Sequence, residues 1–167
     1  FPSESTEIDA AYYELPFQYV TQNVRPYRST KDNPALNLHW WRLWRSRGEL
    51  FEATKPLSRQ IVTPRVSKHR LFVWRDHKVV PDSATVSIAC DNDTTFGILH
   101  SGFHELWALR MGTFLGKGND PRYTPSSTFE TFPFPEGLTP NVSPGDYADD
   151  PRAIKIAAAA QRLNELR

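Results

Sequence analysis

Three short runs in the middle of the chain are rich in Val, Ile, Thr and aromatic residues. They are "QIVT" at 60–63, the stretch 69–75 and "ATVSIAC" at 84–90. Side chains of this kind suit a pleated, half-buried surface, so each run predicts a strand. Helical spacing appears on both sides of them. Leu38, Trp41 and then Trp44 or Arg45 predict a helix over 37–54, with Asn37 as its cap and Gly48 weakening its end. Phe96, Leu99, Phe103, Leu106 and Trp107 share one face of a helix predicted over 94–111, capped by Asp93 and ended by Gly112. The alanine-rich 153–166 predicts a last helix. Residues 1–34 read as loop with one short strand or helix. Residues 116–151 read as a Pro/Gly/Ser/Thr-rich loop carrying the aromatic run "TFETFPFP".

Helices flanking a few consecutive strands imply an α+β fold. The expected architecture is a small mixed or antiparallel sheet flanked by helices, with a C-terminal helix. The expected organisation is a connecting segment (1–36), a folded domain (37–135), and a C-terminal loop and helix (136–167).

Composition changes the picture in one respect. The 39% apolar and 13% aromatic residues support a packed core, and 14 prolines in 167 residues support many loops. The net charge is only +1, but its distribution is lopsided. Between Arg42 and Lys78 ten Lys or Arg face three acids, so the remainder of the chain is net negative. Such asymmetry points to a side that meets a polyanion. Within it, "PRVSKHRLFVWRDHK" at 64–78 sets Arg65, Lys68, His69, Arg70, Arg75 and Lys78 around the apolar "LFVW".

Cys90 is the lone cysteine, so no internal disulfide forms and a reducing cytoplasm is expected. No apolar run approaches the ~18 residues of a membrane span, and no membrane partner is expected. The chain opens on "FPSESTEIDA", with no Met, and stops in helix-like "AAAAQRLNELR". A piece of a longer protein is therefore expected.

Candidate chemistry is thin. His100 and His104 stand four apart on a predicted helix, at metal-ligand spacing, with Cys90 or Asp91 as a conceivable third ligand. "HSGFH" lacks the Glu of the HExxH arrangement, and histidines that hydrogen-bond to neighbouring loops explain the spacing as well. "CDNDTT" at 90–95 suits helix capping better than a Mg²⁺-binding carboxylate pair. Cys90 ends an apolar strand, where a thiol is usually buried and inert. "GKGND" has no phosphate-loop frame. "DNPA" lacks the second Pro and the aromatic of an amino-methylating loop, and no glycine-rich cofactor turn follows a strand. No catalytic residue, metal or cofactor is assigned to this chain. A metal-dependent nuclease using His100 and His104, and a protein-interaction domain docking through its aromatics, stand as alternatives.

Four stretches carry a resemblance. "LSRQIVTPRVSKHRLFVW", "FGILHSGFHELWALRMGT", "YTPSSTFETFPFP" and "IAAAAQRLNELR" occur in this order. Together they resemble the target recognition domain and following segment of large bacterial DNA methyltransferases, the MmeI-like and type IIG/IIL restriction–modification proteins. "HWWRLWRSRGELFEA" resembles the tryptophan-bearing helix that leads into that domain. The likeness covers roughly residues 25–167. It departs from the family at Phe129 and Glu130, in a motif that serves packing.

The resemblance implies a parent that methylates the exocyclic amine of adenine in duplex DNA. The parent would bind S-adenosylmethionine in a methyltransferase domain N-terminal to this chain. By the same resemblance Lys68 and Arg70, with His69 between them, are base-edge candidates, and Arg65 and Ser67 hold phosphates. Lys55, Arg59, Arg75 and Lys78 join the expected DNA-backbone contacts through their charge. On a strand, Lys68 and Arg70 would point to one face roughly 7 Å apart, within reach of neighbouring base pairs.

Overall fold

A computed structural model describes residues 5–43 and 47–167. The chain mixes helix with small antiparallel sheets and carries a long C-terminal helix. It divides into two compact units, Phe1–Glu52 and Ala53–Arg167.

The first unit is helical. α1 (Glu7–Ala11) starts in a capping box, where the Thr6 hydroxyl accepts from Asp9 N and the Asp9 carboxylate accepts from Thr6 N. α2 (Glu14–Asn23), α3 (Arg25–Ser29) and α4 (Pro34–Leu38) follow. The Asn33 side chain caps α4 and Pro34 opens it. The chain does not continue as the helix expected over 37–54. It turns after Leu38 and folds Trp40 and Trp41 into a small core with Ala10, Phe17 and Val20. Arg28 supplies the physical reason. Its Nη1 takes the carbonyls of His39, Trp40 and Arg42, which a continuing helix would need for its own amides. Trp44 and Arg45 lie outside the described residues. Arg47 adopts φ 52°, and helix resumes as α5 (Gly48–Thr54).

The second unit is built on β1 (Arg59–Pro64), the centre of a three-stranded antiparallel sheet. β2 (Val73–Asp76) pairs on one side, Ile61 opposite Trp74. β3 (Thr85–Ile88) pairs on the other, Ile61 opposite Ile88. The β2 partner is shorter than the strand expected over 69–75. Before Val73 the carbonyls go to side chains: the Thr63 hydroxyl donates to Leu71 O at 2.7 Å, and Arg167 Nη1 donates to Phe72 O at 2.7 Å. No ladder is left for residues 67–72, which run as an irregular arm.

One face of the sheet, with Ile61, Trp74, Val86 and Ile88, packs on Phe72, Phe96, Leu99 and Tyr123. The helix expected over 94–111 is two helices, α6 (Asp93–Leu99) and α7 (Gly102–Met111). Ser101 breaks it. Its backbone N–H bonds Ile98 O, and its hydroxyl caps α7 by accepting from His104 N at 3.2 Å. Asn92 rather than Asp93 caps α6, accepting from Thr95 N at 2.7 Å. β4 (Thr113–Leu115) and β5 (Asp120–Arg122) form a hairpin, followed by the single turn α8 (Pro125–Thr128) and a 3-10 turn at Pro144–Tyr147. At Gly112, just before β4, a Cβ would sit 2.5 Å from Ala108 O and 2.8 Å from Arg122 O, so only glycine lets α7 run straight into the hairpin.

α9 (Pro151–Glu165), capped by Asp150, lies on α6. Their backbones approach closely at Gly97, where a Cβ would come within 2.6 Å of Ile156 Cγ2 and 3.2 Å of Ala160 Cβ. Small residues on both helices make this contact possible. Among the described residues no helix is long and apolar enough to cross a membrane.

Candidate nucleic-acid interface

β2 is an edge strand, and residues 65–78 run from the end of β1 through the irregular arm and β2 to the turn that follows. The arm at their start is anchored to the hairpin. Val66 bridges to Arg122, Ser67 N donates to Pro121 O at 3.2 Å, and Tyr123 N donates to Arg65 O at 2.7 Å.

Arg70 is folded inward against this frame. Its guanidinium donates to Thr63 Oγ1 at 3.1 Å, to Pro64 O, and to Pro121 O at 3.2 Å. It also lies 5.0 Å over the Tyr123 ring. Burial lowers its pKa from the ordinary arginine value. Lys68 and Arg70 therefore do not form the same-face strand pair expected from their spacing. Neither lies on a strand. Lys68 and His69 are exposed at the tip of the arm, and Arg70 is the brace beneath them.

Other expected contact residues divide in the same way. Arg59 stacks 3.8 Å over Trp74 and bonds Asp91 O and Asp93 Oδ1, joining the sheet to α6. Arg65 Nε donates to Ser83 O at 3.0 Å. The Ser67 hydroxyl donates to His69 O at 2.7 Å and so shapes the arm itself. Lys55 is exposed just after α5. Arg75 and Lys78 are exposed. Lys78 sits on a turn held by buried Gln60, whose Nε2 donates to the carbonyls of Asp76, His77 and Val79. The exposed Lys68, His69 and Lys78 are thus carried on backbone that other side chains hold.

The two histidines are not ligands on one helix. His100 ends α6 and its Nε2 lies 3.0 Å from Phe72 O. His104, fully buried, holds Leu99 O through Nδ1 at 3.0 Å and meets the Tyr123 hydroxyl through Nε2 at 3.1 Å. A carbonyl only accepts, so Nδ1 carries the proton and Nε2 accepts from Tyr123. Burial pushes the His104 pKa down to about 4 and raises that of Tyr123. His104 thereby supports the ring on which Arg70 rests. Among the described residues no group of three or more His, Cys, Asp or Glu is placed to hold a metal. Cys90 is buried, its Sγ accepts from Asn92 Nδ2 at 2.9 Å, and burial raises the thiol pKa. It is no nucleophile in this setting.

Two cavities flank α7. On one side Phe103, Leu106, Trp107, Met111, Phe132 and Ile156 line an apolar groove of about 650 Å³. On the other a cleft of about 40 Å³ lies between the arm, α7 and β5, walled by Lys68, Arg70, Glu105, Arg122 and Tyr123. The larger cavity holds almost no polar chemistry, whereas the small one gathers charge. Arg122 and Glu105 were not singled out by the sequence. Arg122 sits in "DPRYT", far along the chain from the basic stretch, and only the hairpin brings it back beside Lys68. Comparison of the chain with family models, with curated proteins and with solved structures finds no match in any of the three.

Proposed function

We propose that this chain is a DNA target recognition module of an adenine-specific, S-adenosylmethionine-dependent methyltransferase of the restriction–modification type. It reads duplex DNA and carries no catalysis of its own. Methyl donor and catalytic loop belong to a methyltransferase domain elsewhere in the parent protein. The observation that supports this reading best is the arm at 65–70. Lys68 and His69 stand exposed at its tip, Arg122 stands beside it, and Arg70 spends its own donors on fixing the backbone. Base readout needs donors held in place, and this loop holds them. The resemblance at "PRVSKHR" gives Lys68 and His69 the same role; Arg70, a base-edge candidate by that resemblance, braces the arm instead.

The test is duplex DNA binding by the chain over a salt series. Neutralising phosphates releases counterions, so the logarithm of the binding constant should fall linearly with that of salt, by about 0.9 per phosphate contacted. Binding that ignores salt, or none at low salt, would overturn the proposal.

The apolar groove beside α7 favours a second reading, a protein-interaction domain. Phe103 on its rim is 85% exposed, and a sizeable exposed apolar surface often marks a protein contact. The salt series separates the two, because apolar docking has no such slope.

A further inference from the structure

α7 buries one side and leaves an apolar ridge on the other. His104 and Ala108 are buried in the core, whereas Leu106 is 60% and Leu109 42% exposed. A soluble helix normally turns polar on the side away from its core. Here the charged residues stand only at the borders of the ridge. An α-helix advances by about 100° per residue. Across the exposed side Glu105 comes first, then Leu109 about 40° on, Leu106 at about 100° and Arg110 at about 140°. Two leucines therefore lie between a carboxylate and a guanidinium. Both charged groups are exposed, and among the described residues neither takes part in an ion pair or a side-chain hydrogen bond. We infer that this ridge is a homodimer seam. On it α7 of a second copy packs parallel to the first, Leu106 and Leu109 meet their counterparts, and Glu105 pairs with the partner's Arg110. The inference goes beyond both readings above and depends on neither.

The charges select both the occupant and its direction. In heptad terms Glu105, Leu106, Leu109 and Arg110 fall at g, a, d and e, the positions that form the apolar seam and its flanking ion pairs. In a parallel two-fold pair opposite borders of the two ridges meet, so each acid faces a base. An antiparallel pair would set acid against acid and base against base, which is destabilising. A second copy supplies the complementary pattern automatically, because the two-fold axis generates both ion pairs from one. The helix macrodipole favours an acid in the first turn and a base in the last, but it does not place leucines between them. Phe103, two turns before Arg110 on the same side, is 85% exposed and adds apolar area at the border. The seam is short, since the ten residues of α7 rise about 15 Å. A reversible monomer–dimer equilibrium is therefore expected rather than an obligate dimer.

The experiment is sedimentation equilibrium of the full chain over a concentration series at low salt, without DNA. The samples are the wild type, Glu105→Arg, Arg110→Glu, and an equimolar mixture of these two variants. Both substitutions fall at exposed positions, and circular dichroism checks that each variant keeps the fold. The wild type is expected to dimerise reversibly. Each variant alone turns both ion pairs into like-charge pairs, so its dimer dissociation constant should rise about tenfold. The mixture should regain wild-type association, because in the mixed pair every arginine at the seam meets a glutamate. A wild type that stays monomeric at every concentration overturns the inference. So does dimerisation that neither variant weakens, which would place the interface elsewhere. Variants that lose association singly and do not recover it on mixing overturn the paired seam. None of these outcomes bears on DNA binding, which the salt series tests separately.

Discussion

Arg70 donates a hydrogen bond to the carbonyl of Pro121 at 3.2 Å, across fifty-one positions of chain. This one contact ties the arm at 65–72 to the hairpin that follows α7. With the bonds to Thr63 and Pro64 it makes Arg70 a brace.

Arg70→Ala should therefore cost stability as well as binding. Hydrogen bonds to a charged group contribute about 1.5–3 kcal/mol each, and removal leaves part-buried carbonyls unmet. A loss of about 2–4 kcal/mol in denaturant unfolding is expected, with DNA binding weakened for every sequence. A variant of unchanged stability would show that the brace is ornamental.

Lys68→Ala should behave in the opposite way. Lys68 is exposed and spends no hydrogen bond on the fold, so unfolding should shift by no more than about 0.5 kcal/mol. On the proposed function its DNA motif changes. Arg75→Ala should be equally silent in stability, and as a phosphate contact it should lower the salt slope by about one without altering the motif. Parallel unfolding and binding series read both effects.

Stability should fall in mild acid. His104 titrates near 4 in the fold, against an ordinary value of 6.5, because its burial opposes the charge. The folded pKa is the lower one, so the unfolded chain binds more protons between these values. Stability is full above about pH 6.5, declines as the pH falls towards 4, and then levels off for this group. The total is of order 3 kcal/mol by linkage. His100, shifted the same way by burial, adds to the effect. His104→Gln should flatten the decline in unfolding curves taken at successive pH values, although its starting stability will be lower.

Gly97→Ala should destabilise the second unit although alanine is the better helix former. The gain in propensity is at most about 1 kcal/mol. Against it, the new methyl meets Ile156 Cγ2 at 2.6 Å and the Ile156 carbonyl at 3.0 Å, and overpacking costs about 1–3 kcal/mol. A net loss of about 1–2 kcal/mol is expected on thermal or denaturant unfolding. An increase would mean that α9 sits loosely on α6.

The strands at 60–63 and 84–90 and the last helix were legible because local signals and tertiary packing agree there. β-branched runs became β1 and β3, and Asp150 with Pro151 opens α9. The split at Ser101 was not legible from periodicity, since Leu99, Phe103 and Leu106 keep helical spacing straight through it. The signal was the pair Ser101–Gly102, a cap in mid-run. The tryptophan helix failed for a non-local reason. Arg28 lies eleven or more positions before the carbonyls it captures, and no window over 37–54 contains it. The site was half legible. Charge excess singled out the stretch that forms the arm, but only tertiary contacts decide which cations stay exposed. Arg59 and Arg70 are drawn into the structure, Lys68 is not, and Arg122 arrives from a distant turn.

The division of labour along the arm has an evolutionary consequence. Backbone position is set by Arg70, Thr63, Ser67 and the Tyr123–His104 pair, whereas the side chains at 68, 69 and 122 contribute little to holding it. On the proposed function, a lineage can trade the residues at these outward positions and acquire a new target without first acquiring a new scaffold. Substitutions at the brace offer no such route. Drift in recognition should therefore accumulate at the tip of the arm and the base of the hairpin, while the struts beneath them stand still.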